Sequence, residues 1–322
     1  VVYSLARVTR TRPSIRRILL WAVLVLAGAI VVLNWTYGRL PATPHPTGSF
    51  IQLAEGLKIR YLERPGAEPA VLLIHGLPGT AEDFEDVTPL IRGHRTIAID
   101  RPGFGFSTGG YHSFDRQLQA VQELIARLHL GRPVLVGHSY GGTISLAYAE
   151  RHPGQARGLV LVDAAAGECS RHDNFFVRAQ ARFVQLLELP VVAQIADVTF
   201  SQMVRTVSSE PEESEAFSPA PVNPRHRQRV LAINLKHGNL EAYAGEILAA
   251  NKEIDTVSHS LTSLHVSTVV IQGEQDKLVK PQCGRSIAGS VPGARLQMVP
   301  GGHMAPYTHP EAVAAAVASL SR

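Results

Sequence analysis

The sequence predicts an α/β protein, a mostly parallel sheet with helices on both faces. Three observations predict it. Short apolar runs alternate with amphipathic stretches from about residue 70 onward. A Gly-x-Ser-x-Gly turn joins one such run to the helix after it. The alternation breaks once, between Val162 and Val269, as an insertion would break it.

The elements follow in order. Ile18–Leu33 (ILLWAVLVLAGAIVVL) has no charge and no proline. With Asn34 and Trp35 it reaches 18 residues, which as a helix covers roughly 27 Å, near a bilayer's hydrocarbon thickness. Five arginines precede it, and Trp35 and Tyr37 close it. Residues 1–17 thus read as a basic cytoplasmic N-terminus and 18–37 as a transmembrane signal anchor, with the bulk of the chain on the extracytoplasmic side. Cleavage and secretion are the alternative, although Leu33-Asn34-Trp35-Thr36-Tyr37 offers no small-x-small site. A buried core helix fits poorly, because the run has no polar face. Residues 38–49 read as a Pro/Gly-rich linker.

Phe50–Leu53 and Lys58–Leu62 flank Glu55-Gly56 as a hairpin would. Ala70–Ile74 (AVLLI) reads as a buried strand. Glu82–Ile91 predicts a helix and Arg95–Ile99 a strand. Phe114–Leu128 carries Leu118, Val121, Leu124, Ile125 and Leu128 at helical spacing. Strand Val134–Val136, helix Gly141–Arg151 and strand Leu159–Val162 come next. The surplus at 167–257 is an insertion, with helices expected near Asn174–Leu189, Val191–Val207, Arg225–His237 and Leu240–Ala250. Between them Ser208–Pro224 reads as an exposed loop, and the Glu210–Glu215 acidic run as solvated. Strand Val269–Ile271, helix Gln282–Ala288, strand Arg295–Val299 and helix Pro310–Leu320 complete the chain.

Composition narrows the function classes. Of 31 basic residues six lie within residues 1–40, leaving 25 against 27 acidic ones. The folded part therefore carries no basic excess, which argues against a nucleic-acid partner. Two cysteines, Cys169 and Cys283, exclude a disulfide scaffold and a zinc ribbon. They either pair outside the cytoplasm or remain two thiols.

The chemistry gathers at strand ends. Gly137-His138-Ser139-Tyr140-Gly141 follows a strand and opens a helix, the setting of a nucleophile elbow. The glycines let neighbouring backbone approach a strained serine. A serine needs a base, and His303 follows strand Arg295–Val299 in the pliant Pro300-Gly301-Gly302 loop. Asp276, after strand Val269–Ile271, can orient the imidazole, and Asp163 is another acid at a strand end. The order Ser139, Asp276, His303 matches one of three common triad orders. The oxyanion donors expected are the N–H groups of Tyr140 and of Leu77, in His75-Gly76-Leu77-Pro78. His75, Gly76 and His138 read as supporting residues.

Over residues 50–322 the chain resembles the α/β-hydrolase superfamily. The resemblance rests on HGLPG, DRPGFGFS (Asp100–Ser107), GHSYGG, GEQD and GGH in that order. It implies an eight-stranded sheet, with 50–166 and 258–322 as two parts of one core and 167–257 as a helical cap. It implies catalysis by Ser139, Asp276 and His303, with no metal or organic cofactor required. DRPGFGFS would shape the floor of the site. HGxP and RPG also resemble epoxide hydrolases and haloalkane dehalogenases, but those use aspartate where this chain has Ser139. The activity implied is cleavage of an ester or related acyl bond in a small or medium apolar substrate. Carbon–carbon hydrolysis, perhydrolysis and acyl transfer run on the same triad, and a non-catalytic binding module is the alternative from another class. The cap's Phe175, Phe176, Phe183 and Phe200 either line a pocket or pack the cap onto the body.

Overall fold

The structure is a computed structural model that describes residues 15–36, 43–167, 179, 181, 182, 185, 213–234 and 238–321. It opens with helix α1, Ile15–Thr36, in which ten large apolar side chains from Ile15 to Val32 are exposed. Among the described residues no helix is long and apolar enough to cross a membrane. This corrects the expected transmembrane helix.

Eight strands make one sheet: β1 Ser49–Gln52, β2 Lys58–Arg64, β3 Ala67–Ile74, β4 His94–Ile99, β5 Val134–His138, β6 Gly158–Val162, β7 Thr268–Gly273 and β8 Arg295–Val299. Their order across the sheet is β1-β2-β4-β3-β5-β6-β7-β8. The first two pairings, β1 with β2 and β2 with β4, are antiparallel; every other pairing is parallel. The parallel strands therefore end at one edge of the sheet.

Apolar residues alternate between the two faces because the side-chain period of a strand is two. Leu72, Ile74, Leu135, Leu159 and Leu161 pack with helices α2 (Phe114–Arg127) and α3 (Tyr140–Arg151). Val71, Leu73, Val134, Val136 and Val160 face the other way. The chain after α3 supplies α4 (Pro224–Arg229), α5 (Asn239–Ser260), α6 (Pro281–Ser290), α7 (Ala305–Thr308) and α8 (Pro310–Leu320). Val313 and Val317 of α8 close the second face.

Several elements depart from expectation. Glu82–Ile91 is no helix but two short 3-10 turns, Ala81–Phe84 and Thr88–Leu90. Pro89 breaks the helical pattern, and a tight turn is favoured instead, with Thr80 N–H donating to Asp83 Oδ2 at 3.1 Å and Asp83 N–H to the Thr80 carbonyl at 3.0 Å. Helix α4 gives way at Val230 to a π-turn through Asn234. Helix α5 is longer than expected, so the cap boundary at 257 falls inside it. Residues 213–217 are helical, with Glu213, Ala216 and Phe217 buried, where the sequence reads as a solvated loop. The expected helices near 174–189 and 191–207, with Phe175, Phe176, Phe183 and Phe200, lie outside the described residues, apart from helical positions 179, 181, 182 and 185. Cys283 is disulfide-bonded; the sequence has a single other cysteine, Cys169, which is also outside the described residues.

Candidate active site

Ser139 links β5 to α3 with φ 52° and ψ −121°, a left-handed conformation that costs a non-glycine residue energy. Close backbone contacts over-determine it. A Cβ on Gly141 would run into the Ile74 carbonyl oxygen, and one on Gly137 into the Gly141 carbonyl. The Ser139 N–H bonds the Val162 carbonyl at 2.9 Å, and its own carbonyl accepts from Gly142 and Ala165. The elbow is therefore held by β3, β6 and the start of α3 together.

His303 and Asp276 lie on the loops after β8 and β7. His303 Nδ1–H donates to Asp276 Oδ2 at 2.8 Å, which leaves Nε2 as the basic nitrogen. The second oxygen of Asp276 accepts the N–H groups of Leu278 and Val279, each at 2.9 Å. Gln272 Nε2 adds a contact to Oδ2 at 3.2 Å. The carboxylate is thus fixed in place on all sides. His138 Nε2–H donates to the His303 carbonyl at 2.9 Å, and the two rings lie 5.0 Å apart. The chain step from His138 to Ser139 ties the elbow to the histidine loop in this way.

Asp163, the other acid at a strand end, takes a structural position. Its Oδ1 accepts from Gly273 N–H at 2.7 Å and Gln272 Nε2 at 3.3 Å, and its Oδ2 from Ala305 N–H at 3.3 Å. Burial, reinforced by the charge of Asp276, pushes its carboxyl well above the usual range. The imidazole partner of His303 is Asp276. His138, Asp163 and His303 offer ligand atoms within 4.8 Å of one another. Asp163 is committed to three donors, so the cluster reads as a brace between strand ends.

The loop after β3 lies against the elbow. A Cβ on Gly76 would approach Ser139 Cβ to 2.9 Å, which brings the 76–77 peptide beside the serine. His75 is fully buried; Nδ1–H donates to the Gly76 carbonyl at 2.8 Å and Nε2 accepts from Arg101 N–H at 2.9 Å. Both nitrogens are used by a neutral ring. Burial drives its pKa down to about 3, and burial with the nearby His303 takes His138 to about 4. Neither is free to act as a base. Asp100, at the start of the DRPGFGFS stretch, accepts from Ala81 N–H, Phe106 N–H and Arg60 and so fixes that loop under the site.

Segments inserted between β6 and β7, the region expected as a cap, seat on this edge. The His303 N–H donates to the Ala216 carbonyl at 2.8 Å, so residues 213–217 touch the histidine loop directly. Helix α4 docks through Arg229 to Glu85 and to the Tyr307 hydroxyl, and through Arg225 to Glu85 and Asp86. Helix α5 turns Glu246 and Glu253, two turns apart, toward the body. Glu246 pairs with Arg101 in two bonds, at 2.7 and 2.9 Å, and accepts from Gln117 at 2.8 Å. Glu253 accepts from the Tyr140 hydroxyl, and burial raises its pKa to about 7. Sequence reasoning missed Arg101, Gln117, Glu246 and Glu253 as site residues. Arg101 lies within the DRPGFGFS stretch, but nothing local points to the helix 145 residues on that neutralises it.

Comparison with known proteins agrees with this architecture. A profile for the alpha/beta hydrolase fold matches residues 69–310. The 2-hydroxy-6-oxononadienedioate/2-hydroxy-6-oxononatrienedioate hydrolase of Escherichia coli K12 is 23% identical over 284 residues, 84% of this chain and 94% of that protein. Epoxide hydrolase 3 of Xenopus tropicalis is 27% identical over 222 residues; the match spans 58% of this chain and 60% of that relative's length. A bacterial membrane phospholipase A of known crystal structure shares the fold with a TM-score of 0.66 at 23% identity, over 95% of this chain and 98% of that one.

Proposed function

For this chain, which belongs to the α/β-hydrolase family and is a hydrolase of that fold, we propose the activity of a serine hydrolase cleaving an ester or related acyl bond. One observation carries the reading. A strained serine at an elbow shares a sheet edge with a histidine whose Nδ1 is fixed to a carboxylate at 2.8 Å.

Ser139 Oγ attacks the carbonyl carbon, and its proton passes to His303 Nε2. Asp276 holds the ring in the required tautomer and stabilises the imidazolium. The N–H groups of Leu77 and Tyr140 receive the developing oxyanion. His303 then protonates the leaving alcohol, and water, activated by the same nitrogen, releases the acid from the acyl-enzyme. His75, Gly76, Gly137, His138 and Gly141 support that geometry. Epoxide opening is disfavoured, because Ser139 occupies the nucleophile position. The substrate proposed is a small or medium apolar acyl compound held under the cap.

Location at a membrane belongs to the same proposal. Helix α1 exposes ten large apolar side chains, an arrangement that favours lipid over water. A disulfide at Cys283 suits an extracytoplasmic domain. Retention of the full-length chain in membranes after alkaline carbonate washing supports attachment, and full release refutes it.

A second reading is favoured by the E. coli relative, matched over 94% of its length. The compound in that protein's name contains no ester, so its hydrolysis breaks a carbon–carbon bond. Turnover of p-nitrophenyl esters of increasing chain length, beside a vinylogous diketone acid, separates the two. Ester turnover that disappears in Ser139→Ala supports the esterase. Turnover of the diketone acid alone supports the second reading.

A further inference from the structure

The 76–77 peptide is gripped from its carbonyl side. The Gly76 oxygen accepts two hydrogen bonds, from His75 Nδ1 at 2.8 Å and from Arg101 Nη2 at 2.9 Å. In a trans peptide the N–H points opposite to the C=O, so fixing the Gly76 carbonyl fixes the direction of the Leu77 N–H. A cationic donor on that carbonyl also polarises the peptide and strengthens its N–H as a donor.

Arg101 itself is held in place. It is 1% exposed and donates from all three guanidinium nitrogens. Nε donates to the His75 carbonyl at 3.1 Å. Nη1 and Nη2 take the two oxygens of Glu246 at 2.7 and 2.9 Å. The guanidinium lies over the rings of Phe104 and Tyr140, at 4.5 and 5.3 Å from their centroids. Glu246 belongs to α5, in the region inserted between β6 and β7. A bond that aims the loop beside Ser139 is thereby fastened to that helix.

We propose that Arg101 is a positioning residue for the oxyanion site, acting through the Gly76–Leu77 peptide, and that Glu246 makes this dependent on the seating of α5. The proposal rests on the serine-hydrolase reading, in which Leu77 N–H receives the oxyanion. The pair stabilises the transition state without touching the substrate. Its loss therefore lowers kcat and leaves KM nearly unchanged.

The test uses the full-length chain with p-nitrophenyl butyrate, and butylboronic acid as the transition-state mimic. In Arg101→Met kcat falls about 10²-fold, close to the loss of one oxyanion donor. Glu246→Gln loses about 10-fold on the same scale. In both, boronate affinity falls in parallel with kcat while KM stays within about 2-fold. Arg101→Lys, a point charge without the fork, lies between Arg101→Met and wild type. The double variant Arg101→Met/Glu246→Leu guards against a stability artefact. Replacing both charges restores the melting temperature, yet kcat and boronate affinity stay low. Recovery of kcat with melting temperature in the double variant overturns the proposal. So do unchanged kcat and boronate affinity in folded Arg101→Met, beside an inactive Ser139→Ala. Undiminished turnover in Ser139→Ala is a different failure, since it removes the serine reading and this assignment with it.

Discussion

The elbow and the cap seat meet around one site and are built in opposite ways. The elbow is made of backbone and small residues. Ser139 is trapped by Ile74, Val162 and Gly141, all within or beside buried strands. The cap seat is made of charges: Arg101 with Glu246, Arg229 with Glu85, and Arg225 with Glu85 and Asp86. Backbone packing gives precision and hardly responds to pH or salt. Removing one partner of an ion pair costs much where the pair is buried, as for Arg101, and little where it is exposed, as for Arg225. The difference teaches that the reacting groups stand on a rigid edge, while what covers them stands on replaceable contacts.

The largest effect expected lies on the elbow side. In Asp276→Asn the His303 ring loses the partner that sets its tautomer, and kcat falls roughly 10⁴-fold with the fold intact. Steady-state kinetics with circular dichroism checks this; a drop under 10-fold would reassign the acid to Asp163. Next comes the sheet that carries the edge. Leu73→Ala empties a fully buried site on β3 and costs about 2–5 kcal/mol in denaturant unfolding. A smaller cost would mean the sheet collapses around the gap.

The two buried histidines sharpen the comparison through pH. Their folded pKa values, about 3 for His75 and about 4 for His138, lie below the unfolded value near 6.5. The unfolded chain therefore binds more protons as pH falls from 6.5 toward 4. Their stabilising contribution is complete above pH 6.5 and is lost on acidification. By pH 5 each histidine accounts for ~2 kcal/mol of that loss. Unfolding of His75→Gln measured from pH 8 to pH 5 should show a slope shallower by that amount, and an identical slope would contradict it. The smallest effect is expected at the rim of the cap seat. Arg225 is 57% exposed, so Arg225→Ala changes stability by no more than about 1 kcal/mol, and less at 1 M salt. A larger loss would show that α4 docks through that rim.

The same contrast explains what could be read from the sequence. The places of β5 to β8 along the chain, the elbow, and the meeting of His303 with Asp276 were legible because each is encoded within a few residues. Apolar runs mark the strands, glycines mark the close approaches, and the loops after β7 and β8 can reach only one edge of a parallel sheet. The cap seat was not legible. Glu246 looks like any acid on a helix, since its partner lies 145 residues away. Glu213 reads as solvated within an acidic run, yet it is buried beside Arg227. The failed helix at 82–91 is a local error of another kind, in which apolar spacing outweighed Pro89 and the Thr80–Asp83 turn. For α1 the apolar run predicted a membrane span, a test that the described side chains do not meet.

The central claim is that Ser139 is the nucleophile. The most direct measurement is to label the folded, full-length chain with a fluorophosphonate and map the adduct by peptide mass spectrometry. The account predicts a single phosphonyl group on the peptide that carries Ser139, absent from Ser139→Ala. A folded wild-type protein that takes up no label, or an adduct on another residue that persists in Ser139→Ala, would contradict it.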